Sequence, residues 1–124
     1  MNPKKILIVD DQARIRELVH VTIKFGKYEI FEAASGDEAV KVAMEQRPEL
    51  IFLDVMMPNS TLDGFEVCEI LKKDERTRNA HILMLTALAS EENLTKGNEA
   101  GADGYFTKPF SPLALMNKVE EVLG

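Results

Sequence analysis

The chain has 124 residues, the length of one ordinary domain, and its 45% hydrophobic and 29% charged content is that of most globular proteins. Its formal net charge of −6, from 15 basic and 21 acidic residues, argues against direct nucleic-acid binding, which requires a basic face. No apolar run approaches the roughly 20 residues of a membrane span. The one cysteine, Cys68, excludes an internal disulfide and favours a reducing cytoplasm. We therefore expect a single cytoplasmic domain over residues 1–124 that binds neither nucleic acid nor a membrane directly.

Five short segments have the length and composition of β-strands. In chain order they are residues 6–9, 28–33, 50–53, 81–85 and 104–107. The first and the third are continuous apolar blocks, which is typical of parallel strands buried on both faces. The second alternates in strand fashion and contains Ile30 and Phe31.

Segments with helical apolar spacing alternate with these strands. The first predicted helix runs from Ile15 to about Lys24, the second ends near Gln46, the third begins at Gly64, the fourth ends at Gly101 and the last begins at Pro112. The third is expected to bury one apolar face, made of Val67, Cys68, Ile70 and Leu71. The helix ends are predicted from capping residues, which are Gly26, Ser35 with Glu38 as a capping box, Ser90, Gly101, and Ser111 with Pro112.

The strict alternation of strand and helix with short connections predicts the fold class. It implies an α/β protein with a parallel sheet covered by helices on both faces. Five strands fit the flavodoxin-like, doubly wound (βα)5 arrangement with strand order 2-1-3-4-5. In that order the chain changes direction between strands 1 and 3, where such sheets place their ligand chemistry.

Polar residues follow four of the predicted strands at the point where each strand ends. They are Asp10 and Asp11, Asp54, Thr86, and Lys108. The carboxyl ends of parallel strands meet at one edge of the sheet, so we expect these side chains to converge there.

Such a set of residues has a definite chemistry. Three carboxylates in one crevice repel each other and need a cation, and a few carboxylates with water suit Mg²⁺. The ammonium of Lys108 and the hydroxyl of Thr86 add donors for a phosphoryl group. Together they suggest a phosphoryl-transfer site. Asp54 stands alone after a central strand, whereas Asp10 and Asp11 are paired, so Asp54 is the better candidate nucleophile.

Each of these residues also has an ordinary structural interpretation. Asp11 precedes a predicted helix and could be its N-cap, Thr86 could begin a turn, and Lys108 could be a solvated lysine. The functional interpretation is favoured because independent accidents would rarely fall on four strand ends at one edge. Neither His20 nor His81 forms a credible nucleophile–base pair, so both are expected to be structural or solvent-facing.

Further residues extend this pattern over nearly the whole chain. They are Met57-Pro58, Asp63-Gly64, Ala87 after Thr86, Gly101-Ala102-Asp103, Tyr105, and Pro109-Phe110 after Lys108. With the acidic residues above, they resemble the CheY-like receiver domain of two-component response regulators.

The resemblance implies a role for each site residue. Asp54 would accept a phosphoryl group from a histidine kinase or a histidine phosphotransfer protein. Asp11, Asp54 and the backbone carbonyl of Met56 would bind Mg²⁺, with Asp10 assisting, and Lys108 would contact the phosphoryl oxygens. The domain would be a signalling phosphoacceptor that assists its own phosphorylation and dephosphorylation, and not an enzyme.

The resemblance also implies a switch and a partner surface. Thr86 would swing toward the phosphoryl group, and Tyr105 would turn inward to fill the space that it leaves. The change would reach a face made of helix 4, strand 5 and helix 5, including residues 87–89. A downstream protein or an output domain would bind there, and a phosphorylation-dependent dimer is left open.

One segment departs from the family pattern. Pro58 and Asp63 are separated by residues 59–62, which is two residues more than the family usually has. A harmless surface insertion is the favoured interpretation, since loops absorb length cheaply. The alternative is altered access for the kinase or a partner.

Two rival functions follow from the same residues. An aspartate-nucleophile phosphatase of the haloacid dehalogenase type would carry Asp-x-Asp after the first strand, where this chain has Asp10-Asp11-Gln12. The other rival is a receiver-like interaction module that never takes phosphate, which the complete set of site residues disfavours. The chain is expected to carry no output domain, as a stand-alone regulator or as a receiver from a longer regulator or hybrid kinase.

Overall fold

The computed structural model describes residues 3–23, 28–57, 60–86, 91–108 and 111–124. The strands are β1 (Lys4–Val9), β2 (Tyr28–Ala33), β3 (Leu50–Asp54), β4 (His81–Thr86) and β5 (Gly104–Thr107). The helices are α1 (Ala13–Ile23), α2 (Gly36–Gln46), α3 (Gly64–Lys73), α4 (Glu91–Ala100) and α5 (Pro112–Leu123). Strand and helix alternate along the chain, as the sequence predicts.

The described strands form one parallel sheet of order β2-β1-β3-β4-β5, which confirms the predicted flavodoxin-like arrangement. The register aligns the carboxyl ends of the central strands: Val9 of β1 pairs with Leu53 of β3, and the next residue, Asp54, pairs with Leu85 of β4. Residues that follow these strands therefore share one edge of the sheet.

Two apolar layers cover the sheet, because successive side chains of a strand point to opposite faces. Leu7, Val9, Ile51 and Leu53 face a layer that contains residues of α2 and α3. Their neighbours along the same strands, Ile6, Ile8, Leu50 and Phe52, face a layer that contains residues of α1 and α5. Burial on both faces explains why β1 and β3 are continuous apolar blocks in the sequence.

The helix ends agree with most of the predicted caps. Ser35 Oγ accepts a hydrogen bond from Glu38 N (3.2 Å), and Ser111 Oγ accepts one from Ala114 N (3.1 Å). Gly101 ends α4 with a left-handed φ of 95°, which favours glycine. The predicted caps Gly26 and Ser90, and Lys24 at the predicted end of the first helix, lie outside the described residues.

The predicted capping box on Ser35 is only half formed. The carboxylate of Glu38 accepts from Ala34 N (2.9 Å) and not from Ser35 N, so the reciprocal bond goes one residue further back. The reciprocal pair occurs instead on α3, where Asp63 accepts from Glu66 N (2.8 Å) and Glu66 accepts from Asp63 N (3.1 Å).

One residue of the apolar face predicted for α3 is placed differently. Val67, Cys68 and Leu71 are fully buried, whereas Ile70 is 36% exposed. Because the three buried residues share one side of a helix with 3.6 residues per turn, Ile70 lies outside that side. In the described part of the chain, no helix combines the length and the apolar character that a membrane crossing needs.

The burial of Cys68 predicts slow thiol chemistry. Its thiol donates to the carbonyl of Ala100 (3.6 Å), and burial raises the pKa of Cys68 to about 11. Thiolates react and thiols do not, so we expect labelling by a disulfide reagent at pH 8 to be at least about a hundredfold slower than in urea. Absorbance of the released thiol measures both rates. Rapid stoichiometric labelling of the native protein would contradict the buried position.

Candidate functional site

Three acidic side chains meet at the carboxyl edge of the sheet. Asp10 directly follows β1, Asp11 is next to it, and Asp54 is the last residue of β3. One carboxylate oxygen from each lies within 4.8 Å of the other two. Asp10 and Asp54 are buried, and Asp11 is partly exposed. The predicted convergence of these three side chains at one edge of the sheet is thus confirmed.

The local backbone explains why Asp10 and Asp11 stand where they do. Asp10 N donates to the carbonyl of Ala33 (3.1 Å) and so continues the β1–β2 ladder. Asp10 Oδ1 accepts from Gln12 N (2.9 Å), a short turn that leads into α1. Helix α1 begins at Ala13, which puts Gln12 at the N-cap position. Asp11 is therefore not the N-cap that its sequence position allowed.

Lys108 brings the positive charge to this cluster. It follows β5, and its backbone N donates to the carbonyl of Thr86 (2.8 Å). Its Nζ lies 2.7 Å from Asp10 Oδ2 and 3.4 Å from Asp54 Oδ1, and its side chain is only 17% exposed. The predicted convergence of Lys108 with the acidic residues is also present.

The surroundings of Asp54 perturb its protonation. Burial and, secondly, the charge of Asp10 raise the pKa of Asp54 to about 6, against the opposing effects of Lys108 and of the N–H of Met56 at 3.3 Å. Burial acts to lower the pKa of Lys108, but its hydrogen bond to Asp10 and the charges of Asp54 and Asp10 outweigh it, so this pKa is raised. The site therefore holds more negative charge than one ammonium balances.

The two predicted switch residues lie on neighbouring strands. Thr86 ends β4 and is 4% exposed, and it pairs in register with Thr107 of β5. The half-buried Tyr105 donates its hydroxyl hydrogen to the carbonyl of Leu94 in α4. A Cβ at Gly97 would lie 2.1 Å from that hydroxyl oxygen, so the glycine makes room for the ring.

Several residues of the sequence analysis fall outside the described part of the chain. They are Pro58, Ala87, Leu88, Ala89, Pro109 and Phe110. Arg16, by contrast, was missed: its Nη1 donates to the carbonyl of Asp10 (2.8 Å) and its Nε pairs with Glu32 (3.2 Å). No sequence signal links an arginine in one helix to a carbonyl six residues earlier. The Asp63–Glu66 capping box, however, was visible as an acidic cap three residues before a glutamate.

The donor set fits a small hard cation. One carboxylate oxygen from each of the three residues lies within 4.8 Å of the others, so the three could converge on a single ion. Carboxylate oxygens are the ligands that this ion prefers. The cluster of Asp10, Asp11 and Asp54 could therefore bind Mg²⁺.

A sheet of this order with an acidic cluster and a lysine at its carboxyl edge defines a class, the receiver domains. The chain belongs to it, since the family model described as "Response regulator receiver domain" matches residues 6–120. The chain is 45% identical over 120 residues to the phosphate regulon transcriptional regulatory protein PhoB of Pseudomonas aeruginosa, covering 97% of this chain and 52% of that protein. It is 44% identical over 122 residues to the transcriptional regulatory protein ResD of Bacillus subtilis, covering 98% and 49%.

Solved structures agree with the curated relatives. The structure of the chemotaxis protein CheY4 of Vibrio cholerae superposes with a TM-score of 0.90 at 36% identity, covering 98% of this chain and 99% of that one. The chain spans about half the length of the curated relatives it matches. It is a signalling receiver domain, and the comparisons favour neither the phosphatase nor the interaction module that never takes phosphate. Receivers of this family interact with histidine kinases and with output domains.

Proposed function

We propose that Asp54 is the phosphoacceptor of this receiver domain and that it takes its phosphoryl group from a histidine kinase or a histidine phosphotransfer protein. The observation that carries the proposal is the position of its carboxylate, buried at the end of β3 and 3.4 Å from the ammonium of Lys108. Burial favours nucleophilic use of this carboxylate, because it is poorly stabilised by water.

The transfer needs little covalent chemistry from the protein. A carboxylate oxygen of Asp54 attacks phosphorus, the P–N bond of the phosphohistidine breaks, and the released imidazole takes up a proton. Lys108, which donates to Asp10 Oδ2 and lies 3.4 Å from Asp54 Oδ1, turns toward the phosphoryl oxygens, and Thr86 donates its hydroxyl hydrogen to one of them. Asp11, Asp54 and the Met56 carbonyl, with help from Asp10, would hold Mg²⁺, which would supply neutralisation of the phosphoryl charge. The same groups assist hydrolysis of the acyl phosphate.

The output face is proposed to be α4, β5 and α5. Leu113 and Met116 on α5 are 68% and 43% exposed, and unpaired apolar side chains of this size support a partner surface. Thr86 and Tyr105 connect the phosphoryl site with this face, because they lie on the adjacent strands β4 and β5. The same face could also bind a second copy of the chain after phosphorylation.

The partner on this face is a downstream protein or an output domain. PhoB and ResD are transcriptional regulators by name, which makes a transcription-controlling output domain the first candidate. With a net charge of −6 the receiver itself is not expected to grip DNA. We assign residues 1–124 to one receiver domain that works in the cytoplasm, where histidine kinases present their phosphohistidine.

Labelling with a small phosphodonor tests the assignment of Asp54. Native protein with acetyl phosphate and Mg²⁺ is expected to gain one phosphoryl group by intact mass, and Asp54→Ala is expected to gain none. Asp74→Ala is the matched control, because Asp74 lies at the surface in the turn after α3 and should label like the native protein. Equal labelling of Asp54→Ala and the native protein would overturn the proposal.

A further inference from the structure

Residues 60–62, which lie between β3 and α3, are hydrogen-bonded to the start of α2. Ser60 Oγ accepts a hydrogen bond from Gly36 N (2.7 Å) and donates one to the carbonyl of Leu62 (2.6 Å). Gly36 is the first residue of α2, and the first N–H groups of a helix have no partner inside the helix. The hydroxyl of Ser60 thus satisfies a helix N–H from a loop 24 residues away.

Two other contacts make this docking close. Thr61 N lies 3.3 Å from Asp37 Oδ2, which adds a second bond between the same two segments. A Cβ on Gly36 would lie 2.4 Å from the carbonyl oxygen of Leu62 and 2.9 Å from Ser60 Oγ. Only glycine at position 36 permits this approach without displacing the loop.

The docked segment leads directly back to the phosphorylation site. Ser60 N donates to the carbonyl of Met57 (3.0 Å), and Gly64 N donates to the carbonyl of Val55 (3.2 Å). Met56 lies between these anchors, with a side chain that is 73% exposed and an N–H that donates to Asp54 Oδ1. The neighbouring residues Val55 and Met57 are buried, so the main chain of Met56 is positioned by their packing together with the hydrogen bonds at the ends of the segment.

We propose that Ser60 is a positioning residue of the phosphoryl site. By joining the segment after Asp54 to the N-terminus of α2, it holds the main chain of Met56 in place for Mg²⁺ binding beside Asp54. The inference rests on the proposed function of Asp54 and of the Met56 carbonyl. It assigns a use to Ser60 within the longer connection between Pro58 and Asp63, for which the sequence analysis favoured a harmless surface insertion.

Substitution of Ser60 allows the docking contact and the metal site to be measured separately. Ser60→Ala removes both hydrogen bonds, so Gly36 N–H should lose protection from amide hydrogen exchange in metal-free protein. Calorimetric Mg²⁺ affinity should fall about tenfold, as expected when a residue that orients a metal ligand is lost. Ser60→Thr keeps the hydroxyl and should restore both values. Thr61→Ala is the matched control, because Thr61 contacts Asp37 through its backbone N–H alone.

Gly36→Ala tests the same contact independently. Helix propensity alone predicts no loss from this change, whereas the close approach of the loop predicts one. Alanine has a higher helix propensity than glycine, so the substitution at this first position of α2 should not by itself weaken the helix. The 2.4 Å approach to Leu62 requires the loop to move instead. We expect this variant to lose Mg²⁺ affinity as Ser60→Ala does, with its helices intact by circular dichroism.

The outcomes distinguish this inference from the proposed function. If native protein neither binds Mg²⁺ nor is labelled by acetyl phosphate, the proposed function fails and the inference fails with it. If native protein is labelled at Asp54 but Ser60→Ala and Gly36→Ala bind Mg²⁺ with native affinity, the inference is overturned and the proposed function stands. If both variants bind more weakly and Ser60→Thr is restored, Ser60 acts as proposed.

Discussion

Replacing Asp54 with Asn is expected to stabilise the metal-free protein by about 2 kcal/mol at pH 7.5. Folding buries this carboxylate beside Asp10 and raises its pKa from 3.8 to about 6. A shift of roughly two units corresponds to about 3 kcal/mol between the protonation states, and the remaining cost of burying an amide lowers the gain. Lys108 keeps a partner in this variant, because Asp10 lies 2.7 Å away.

The stability gained by Asp54→Asn depends on pH, and the raised pKa of Asp54 fixes the direction of that dependence. Between the unfolded pKa near 3.8 and the folded pKa near 6, the folded protein binds more protons at Asp54 than the unfolded chain does. The contribution of Asp54 to stability is therefore fully present below pH 3.8 and is lost as the pH rises through 6. The advantage of Asp54→Asn should shrink to less than about 1 kcal/mol at pH 4.5. Urea unfolding in chelator at both pH values measures the difference.

Asp74→Asn controls for the loss of one negative charge from an acidic protein. Hydrogen bonds from Arg76 lower the pKa of Asp74 to about 2 at a partly exposed surface site, so its replacement should destabilise the protein slightly. A gain in stability for both variants would point to net charge. A loss for Asp54→Asn at pH 7.5 would show that the carboxylate is well compensated and would contradict its raised pKa.

Replacing Lys108 with Met is expected to destabilise the metal-free protein by about 3 kcal/mol at pH 7.5. The change removes the cation 2.7 Å from the fully buried Asp10 and 3.4 Å from Asp54. Breaking a buried pair costs about 3 to 5 kcal/mol because a charge is left uncompensated, and we take the low end since Lys108 is 17% exposed. Chemical unfolding in chelator is the measurement.

Lys108→Met should respond to both acid and magnesium. Lower pH protonates Asp54 and removes part of the repulsion, so the deficit should be smaller at pH 5 than at pH 7.5. If the acidic cluster of the folded protein binds Mg²⁺ as proposed, millimolar Mg²⁺ should recover part of the loss. Lys73→Met is the control: its pair with Glu69 is at the surface, and the change should stay within about 0.5 kcal/mol. An equal deficit for the two lysine variants would rule out a special role for Lys108.

The sequence predicted the sheet order and the convergence of the acidic residues with Lys108 for one physical reason. Strands buried on both faces must be apolar throughout, so the first polar residue marks where each strand leaves the core. Asp10 and Asp54 are such residues, and parallel pairing brings them to one edge. The position of these residues in the chain was sufficient to predict their convergence, because this part of the site lies at the ends of strands.

Side-chain contacts between distant loops and helices were not predictable in the same way. Ser60 and Gly36 are ordinary loop and helix residues by sequence, and only the docking of one segment on another makes them partners. Arg16 reaches the carbonyl of Asp10 by a long flexible side chain whose direction no periodicity fixes. Ile70 fits the spacing of apolar residues along α3 and yet lies toward solvent, because which side of the helix is buried is set by its neighbours.

The hydrogen bond from Lys108 N to the carbonyl of Thr86 links the carboxyl ends of β4 and β5. While that bond is kept, a displacement of the Lys108 main chain also displaces the main chain of Thr86. We therefore expect a new charge at Asp54 that draws Lys108 toward it to shift the ends of β4 and β5 together. Such a shift would reach α4 through Tyr105 of β5, whose hydroxyl donates to the carbonyl of Leu94.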